Sequence, residues 1–326
     1  MVEISAPPDH SSKIDVHHHF EPTGKTIGGK AWSVQMSLED MDRNGVRTAI
    51  AYPGPFFGNE TTTAQQKARE ANDWAADICR TFPGRFGLFA SVPFDDIAAA
   101  QVEIAHAFDT LDADGIGLAP RYGTAWLGDA KYRPIFEELN RRHAVVYVHP
   151  HRASSCEALA TLNTTDGVIK APWIEFPTDT ARTILSLWAG SVTRGFPNIR
   201  FLFCHGGGVL PILLGRFAGF EGWHEVGPER YKAIFPDGVY AEFAKLYFEC
   251  AQAYAPEAIT MLRSLVPPSH ILFGTDFSFF PIGHSVAAFN ALNLPPDVYG
   301  AIARDNATAL LPRWRSPLPA FKERTA

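Results

Sequence analysis

The chain has 326 residues, of which 46% are hydrophobic and 20% charged, and it contains 26 glycines and 25 prolines. This profile excludes an intrinsically disordered chain and predicts a large buried core with many loop breakers. The 29 Lys and Arg against 35 Asp and Glu give a net charge of −6 without any basic run. We therefore expect neither a nucleic-acid partner nor an anionic membrane surface, and a small molecule is the expected partner.

The cysteine pattern and the first residues bear on the cellular compartment. Cys79, Cys156, Cys204 and Cys250 occur singly, which implies no disulfide framework and favours a reducing compartment. Residues 1–13 show neither the basic nor the apolar region of a secretory signal, and no stretch is long enough to span a bilayer. We therefore expect a cytoplasmic protein.

Short apolar runs alternate with amphipathic stretches along the chain, a pattern typical of βα units and a parallel sheet. Eight runs predict strands at Ile14–Phe20, Thr48–Tyr52, Phe86–Val92, Gly115–Leu118, Val145–His149, Ile199–His205, Leu246–Cys250 and Ile271–Thr275. The stretches between them predict helices at Leu38–Asn44, Ala64–Thr81, Ile97–Leu111, Arg133–Arg142, Thr180–Arg194, Leu210–Phe220, Pro256–Leu265 and Pro296–Leu310. Eight strands with interleaved helices predict a (β/α)8 TIM barrel that forms one domain over residues 1–326, with a doubly wound open sheet as the alternative.

Two local features refine this prediction. The first helix is expected to start at a capping box formed by Ser37-x-x-Asp40. The connections His151–Pro177 and Trp223–Lys245 are longer than most loops, so we expect them to shape a pocket.

Histidines are concentrated in the first predicted strand, within Asp15-Val16-His17-His18-His19. Strand alternation places His17 and His19 on one face and His18 on the other. Paired imidazoles are common zinc ligands, although a polar strand end would also account for them.

Three other predicted strands also end on a polar donor, namely His149, His205 and Asp276. Each donor alone has an ordinary explanation, such as a core histidine or a helix cap. In a (β/α)8 barrel, however, the carboxyl ends of all strands face one mouth, where the active site is built. Histidines and a carboxylate with an open position are the donor set of a catalytic divalent ion. We expect one such ion, zinc first and manganese as the alternative, and no organic cofactor.

The ordered set Asp15-x-His17-x-His19, His149-Pro150, His205-Gly206-Gly207 and Gly274-Thr275-Asp276 resembles the amidohydrolase superfamily. Within it, the chain resembles the aminocarboxymuconate-semialdehyde and ortho-hydroxybenzoate decarboxylases over nearly its whole length. Residues 138–142 and 174–182 are most similar to 6-methylsalicylate decarboxylases.

This resemblance implies roles for individual residues. The metal ligands would be His17, His19, His149 and Asp276. The catalytic proton would come from His205 or Asp276, and we assign it to His205, which needs no displacement from the metal.

The resemblance also implies residues that contact the substrate. Arg216, eleven residues after His205, would bind a substrate carboxylate, in some relatives across a dimer interface, so we expect a homodimer. A local salt bridge is the alternative role for this arginine. Among several aromatic residues placed to stack on a substrate ring, we select Phe277 and Phe280.

The chain departs from its relatives at three places. Gly115–Pro120 lacks the lysine that bridges two metals in many superfamily hydrolases, which implies a mononuclear site. Gly208 occupies the position of a glutamate in resorcylate-type decarboxylases, and residues 24–37 lack the second substrate arginine of the aminocarboxymuconate enzymes.

We therefore expect a metal-dependent, non-oxidative decarboxylase of a small hydroxyaromatic or related unsaturated carboxylic acid. The same donors would serve a mononuclear lactonase or amidase, in which the metal activates a water molecule. A binding protein with a purely structural metal is the third hypothesis.

Overall fold

The computed structural model describes residues 12–21, 26–27, 30–54, 61–151 and 171–315. Its central feature is a sheet of eight strands in which each strand pairs in parallel with the next one along the chain. The strands are β1 (Lys13–His19), β2 (Val46–Tyr52), β3 (Phe86–Ser91), β4 (Gly115–Leu118), β5 (Val145–Val148), β6 (Arg200–Phe203), β7 (Tyr247–Glu249) and β8 (Ile271–Leu272).

Backbone hydrogen bonds connect the two ends of this sheet. The amide of Val16 in β1 donates to the carbonyl of Phe273 at 3.0 Å, and the amide of Asp276 donates to the carbonyl of His17 at 2.8 Å. These bonds bring the segment after β8 against β1 and close the barrel. The predicted (β/α)8 architecture is confirmed, and the open-sheet alternative is excluded.

Helices of varied length connect the strands. The longer ones are Val34–Arg43, Ala64–Thr81, Ile97–Asp109, Arg133–Arg141, Glu175–Ala189, Leu210–Gly219, Pro256–Leu265 and Ile282–Ala291. The shorter ones are Val192–Gly195, Pro228–Ile234, Val239–Ala244, Pro296–Gly300 and Asn306–Leu310, the last two being joined by a π-helical turn at Ala301–Asp305. None of the helices in the described ranges is long and apolar enough to cross a membrane.

Several helix predictions need correction. The predicted helix Thr180–Arg194 is two helices, Glu175–Ala189 and Val192–Gly195. The first helix begins at Val34, not Leu38, and its N-cap is Ser33, whose side chain accepts a hydrogen bond from the amide of Met36. Ser37 therefore lies inside the helix. The helix Ile282–Ala291 was not predicted, because Pro281 before it and Gly283 within it are typical of loops in a sequence.

The two long connections differ in their relation to the barrel mouth. Trp223–Lys245 contains two short helices, and none of its residues lines the main cavity, so it does not shape the pocket as expected. The connection His151–Pro177 lies largely outside the described residues. Its final part does line the cavity, with Pro172, Trp173 and Phe176.

Candidate active site

The five predicted donors meet at the carboxyl end of the barrel. His17 and His19 end β1, while His149, His205 and Asp276 follow β5, β6 and β8. The ring centroid of His17 lies 5.1 Å from that of His19, 4.7 Å from His149 and 5.1 Å from His205. Strand ends far apart in the sequence thus converge on one point.

The spacing of the donor atoms fits a bound cation. The Nε2 atoms of His17 and His19 are 3.2 Å apart, and each lies 3.2 Å from Oδ1 of Asp276. Oδ1 of Asp276, which faces both nitrogens, is nevertheless buried without a hydrogen bond to any described residue. Buried polar atoms normally have a partner, and a divalent cation would satisfy this set of imidazole nitrogens and carboxylate oxygens. The residues present therefore fit a metal ion.

His205 lies within the same cluster. Its Nε2 is 3.5 Å from Oδ2 of Asp276, and the donor atoms of His17, His149, His205 and Asp276 all lie within 4.8 Å of one another. His19 shares this site through its contacts with His17 and Asp276. The structure brings all five residues together, and the division into ligands and proton donor rests on the sequence resemblance.

The charges in the cluster are strongly coupled. Burial lowers the pKa of His17, but Glu249 and Asp276 outweigh it and raise this pKa to about 10. Burial raises the pKa of Asp276, but His17 and the other histidines hold it well below its usual range. Burial holds the pKa of His149 well below its ordinary value. A cation bound here would take the place of the proton on His17, because a ligating imidazole must be deprotonated.

The buried carboxylate of Glu249, at the end of β7, hydrogen-bonds two residues of the cluster, His17 and His205. Its Oε1 accepts hydrogen bonds from His17 Nδ1 at 2.7 Å and from the amide of His205 at 2.8 Å, and its Oε2 accepts one from the amide of Ala251 at 2.7 Å. A carboxylate that fixes a ligand histidine in this way sets its tautomer and ring orientation. Glu249 was not among the predicted site residues, although an acidic residue at the end of an apolar strand was a usable signal.

Asp15 and His18 have supporting positions outside the cluster. Asp15 accepts hydrogen bonds from the hydroxyl of Thr275 at 2.6 Å and from the amide of His17 at 3.0 Å, so it ties β1 to the segment after β8. His18 points the other way, and its Nε2 lies 3.1 Å from the hydroxyl of Ser37. Strand alternation correctly separated His18 from its two neighbours.

His205 and Asp276 both have a left-handed backbone conformation, with φ values of 53° and 59°. Neither residue is a glycine, and such conformations cost free energy that the surrounding structure must offset. Strained residues of this kind are concentrated at functional sites. The strain falls on His205, the predicted proton donor, and on Asp276, a predicted metal ligand.

A cavity of about 810 Å³ opens in front of the cluster. Its wall combines the metal-site residues with proline and aromatic side chains. The described residues that line it are His19, His149, Pro150, His151, Pro172, Trp173, Phe176, Pro177, His205, Gly208, Gln252, Ala253, Ala258, Asp276, Phe279 and Phe280. This described lining contains no lysine and no arginine, so an anionic ligand would meet its positive charge at the cluster.

The predicted substrate-binding residues lie in different places. Phe280 lines the cavity, together with Phe279, and is 37% exposed. Phe277 is buried, stacks on His18 at a centroid distance of 4.9 Å and is not part of the described lining. Arg216 is exposed on the helix Leu210–Gly219, where its guanidinium lies 5.5 Å from the ring centroid of Phe220. It does not reach the cavity of its own chain, so its predicted role would require a second copy.

The backbone explains why position 208 holds a glycine. Gly208 has a φ of 64°, and a Cβ at this position would overlap the carbonyl oxygen of Pro177. The segment around Pro177 thus occupies the space that a side chain at 208 would need.

The chain forms an eight-stranded parallel barrel, and four histidines and an aspartate meet at the ends of its strands. This arrangement is typical of barrel enzymes that bind a metal ion. More specifically, the chain belongs to the amidohydrolase family, whose model matches residues 14–313.

Named relatives place the chain among the decarboxylases of that family. It is 34% identical to the decarboxylase yanB of Aspergillus niger, over 94% of this chain and 89% of the relative. It is 31% identical to the 6-methylsalicylic acid decarboxylase of Penicillium expansum, over 95% of this chain and 99% of the relative. The resemblance to the decarboxylase branch, and the expectation of an enzyme of that branch, are confirmed.

A solved structure shows the same fold. The dihydroxybenzoic acid decarboxylase from Polaromonas sp. JS666, solved with bound manganese and the inhibitor 2-nitroresorcinol, superposes with a TM-score of 0.79 at 21% identity. The match covers 94% of this chain and 98% of that protein.

Proposed function

We propose that the protein is a metal-dependent, non-oxidative decarboxylase of a small hydroxyaromatic carboxylic acid. One observation carries the proposal: His17, His19, His149, His205 and Asp276 lie close together, and all of them except His17 line a cavity whose other described residues are mainly aromatic and apolar. The named decarboxylases at 31 to 34% identity support the reaction. An aromatic acid fits such a cavity, with its ring on the apolar wall and its oxygens at the cluster.

The ligands in this proposal are His17, His19, His149 and Asp276. A divalent ion, zinc in our proposal and manganese as the alternative, would supply Lewis acidity and a template for the oxygens of the acid. Glu249 holds His17 in place, and Phe279 and Phe280 are positioned to contact the ring.

The chain itself supplies the proton. We assign it to His205, whose pKa burial lowers but Cys204 and Asp276 raise well above its ordinary value. The proton adds to the ring carbon that carries the carboxylate. The bond between that carbon and the carboxylate then breaks, its electron pair returns to the ring, and CO2 leaves. The sum is one proton consumed and one CO2 released, without an oxidant or a reductant.

We further propose that residues 1–326 act as one catalytic domain in the cytoplasm and that the enzyme is a homodimer in which Arg216 reaches the acid bound by the partner. The exposed position of Arg216 supports a role between copies rather than within one. Sedimentation of wild type and of Arg216→Ala, with KM measured for each, tests this part: a lone chain with an unchanged KM would contradict it.

The reaction itself is tested with protein reconstituted with zinc or manganese and offered ortho-hydroxybenzoates, carboxymuconate-like acids and lactones. We expect release of CO2 from at least one acid and loss of that release after chelation. Hydrolysis of a lactone, with every acid untouched, would favour the mononuclear hydrolase instead.

A further inference from the structure

His151 is a second polar feature of the cavity, separate from the metal cluster. It lies two residues after His149, its imidazole lines the cavity, and its ring centroid is 5.2 Å from that of His149. Apart from the cluster residues, the only other polar side chain in the described lining is Gln252, whose amide nitrogen lies 3.3 Å from the carbonyl of Thr275. His151 therefore lies in the cavity beside the cluster.

Tyr52 holds His151 in this position. The hydroxyl of Tyr52, at the end of β2, lies 2.8 Å from Nε2 of His151, and the two rings are 4.9 Å apart. Tyr52 is itself buried, so its hydroxyl needs a partner and its ring has no freedom to move. His151 thus lines the cavity while its Nε2 contacts the hydroxyl of Tyr52.

Gly117 leaves room for the ring of Tyr52. A Cβ on Gly117 in β4 would lie 2.5 Å from two ring carbons of Tyr52, so only a glycine leaves room for the tyrosine. The pair therefore depends on three parts of the barrel. Tyr52 lies in β2, His151 lies in the segment after β5, and Gly117 in β4 leaves room for the ring of Tyr52. Support of a polar group by the packed core is typical of sites that select a ligand.

We propose that His151 is a specificity-determining residue that hydrogen-bonds an oxygen substituent on the substrate ring, beyond the oxygens held at the metal cluster, and that Tyr52 is its positioning residue. This inference rests on the proposed decarboxylation of a hydroxyaromatic acid. It predicts discrimination between a ring hydroxyl and a methyl group of similar size, because an imidazole can hydrogen-bond the hydroxyl and cannot hydrogen-bond the methyl.

The experiment uses metal-loaded enzyme and pairs of 2-hydroxybenzoates that carry either a hydroxyl or a methyl at one further ring position. The ratio of kcat/KM for the two members of each pair is measured in wild type, His151→Leu, His151→Asn and Tyr52→Phe. We expect the hydroxyl-to-methyl ratio to fall by about tenfold in His151→Leu for at least one ring position, mainly through KM. His151→Asn, which keeps a hydrogen-bonding group, should restore part of the ratio.

Tyr52→Phe is the second variant and separates selection from simple packing. If His151 only satisfied the tyrosine hydroxyl, removing that hydroxyl would change stability but leave the ratio as it is. We expect the ratio to fall in Tyr52→Phe as well, by less than in His151→Leu. The exposed His224, changed to Gln, is the matched control and should leave every ratio unchanged.

Failure of this inference and failure of the proposed reaction give different results. Ratios that stay within twofold of wild type in both His151→Leu and Tyr52→Phe, while wild type decarboxylates the acids, would overturn the role of His151. If wild type releases CO2 from none of the acids with either metal, the proposed reaction is wrong. Dissociation constants of resorcinol and 3-methylphenol, which differ in the same substituent, measure the selectivity without turnover: a ratio that falls in His151→Leu supports the role, and an unchanged ratio contradicts it.

Discussion

Nδ1 of His17 lies 2.7 Å from the carboxylate of Glu249, and both side chains are completely buried. The same carboxylate accepts a hydrogen bond from the backbone amide of His205. Glu249 therefore orients His17, a proposed ligand, and fixes the backbone of His205, the proposed proton donor. The candidate metal site is therefore part of a hydrogen-bond network that extends into β7.

Glu249→Gln should weaken metal binding without unfolding the barrel. The amide keeps the size of the side chain but removes the charge that favours the metal-binding orientation of His17. We expect a 10- to 100-fold loss of metal affinity, in the range usual for such supporting carboxylates, measured by competition with a chromogenic chelator. The exposed Glu229, changed to Gln, is the control, and equal affinities in the two variants would contradict the role of Glu249.

Gly274→Ala tests the same network without changing any polar group. A Cβ at this position would overlap Oε2 of Glu249 and lie 3.0 Å from Cβ of His17, so the carboxylate must move. We expect weaker metal binding and a lower melting temperature. Gly219→Ala provides the comparison, since a Cβ there meets nothing within 4 Å, and it should be close to neutral. Wild-type metal affinity in Gly274→Ala would show that the tight packing is not needed.

Separate alanine variants test the roles of three of the five clustered residues. His149→Ala and Asp276→Ala should each lose bound metal, whereas His205→Ala should keep the metal and lose turnover. Elemental analysis of dialysed protein and CO2 release provide the two measurements. Stoichiometric metal in Asp276→Ala would mean that the ligand set is wrong, and full activity in His205→Ala would remove the proposed proton donor.

The sequence predicts part of this site and not the rest. The strand ends at His17, His19, His149, His205 and Asp276 could be predicted because each follows an apolar run, and barrel topology brings such ends to one mouth. Glu249 could not be assigned a partner, since the contact with His17 spans 232 residues and depends on how β7 and β1 lie across the barrel.

The same limit applies to the residues around the cavity. Phe277 and Phe280 are three positions apart, yet one stacks on His18 in the core and the other lines the cavity, because the chain turns between them. The pairing of Tyr52 with His151 joins the end of one predicted strand to a residue beyond the end of another, and a sequence does not specify how these ends lie relative to each other. Sequence patterns place residues on elements, whereas side-chain partners depend on tertiary packing.

The Cys79 thiol predicts a pH dependence of stability. Burial, aided by the nearby charge of Asp114, raises the pKa of Cys79 to about 12, compared with about 8.5 for an unfolded cysteine. The folded state thus holds this proton more tightly, so the contribution of Cys79 is complete below about pH 8.5 and is lost as the pH rises toward 12.

Replacement of this cysteine tests the prediction. The free energy of unfolding in urea is measured at pH 7 and pH 10 for wild type and Cys79→Ala, in the presence of a reductant. We expect the decrease between the two pH values to be smaller in the variant. Equal decreases would show that Cys79 does not titrate differently in the folded and unfolded chain.

The central claim is that the cluster at the barrel mouth exchanges the carboxylate of an aromatic acid for a proton. It is tested most directly by turnover of ortho-hydroxybenzoates in D2O by metal-loaded enzyme, with CO2 quantified and the phenol product analysed by mass spectrometry and NMR. The account predicts one CO2 per phenol, one deuterium at the carbon that carried the carboxylate, and no product after chelation. Water addition to a lactone or amide, with no CO2 from any acid, would contradict it.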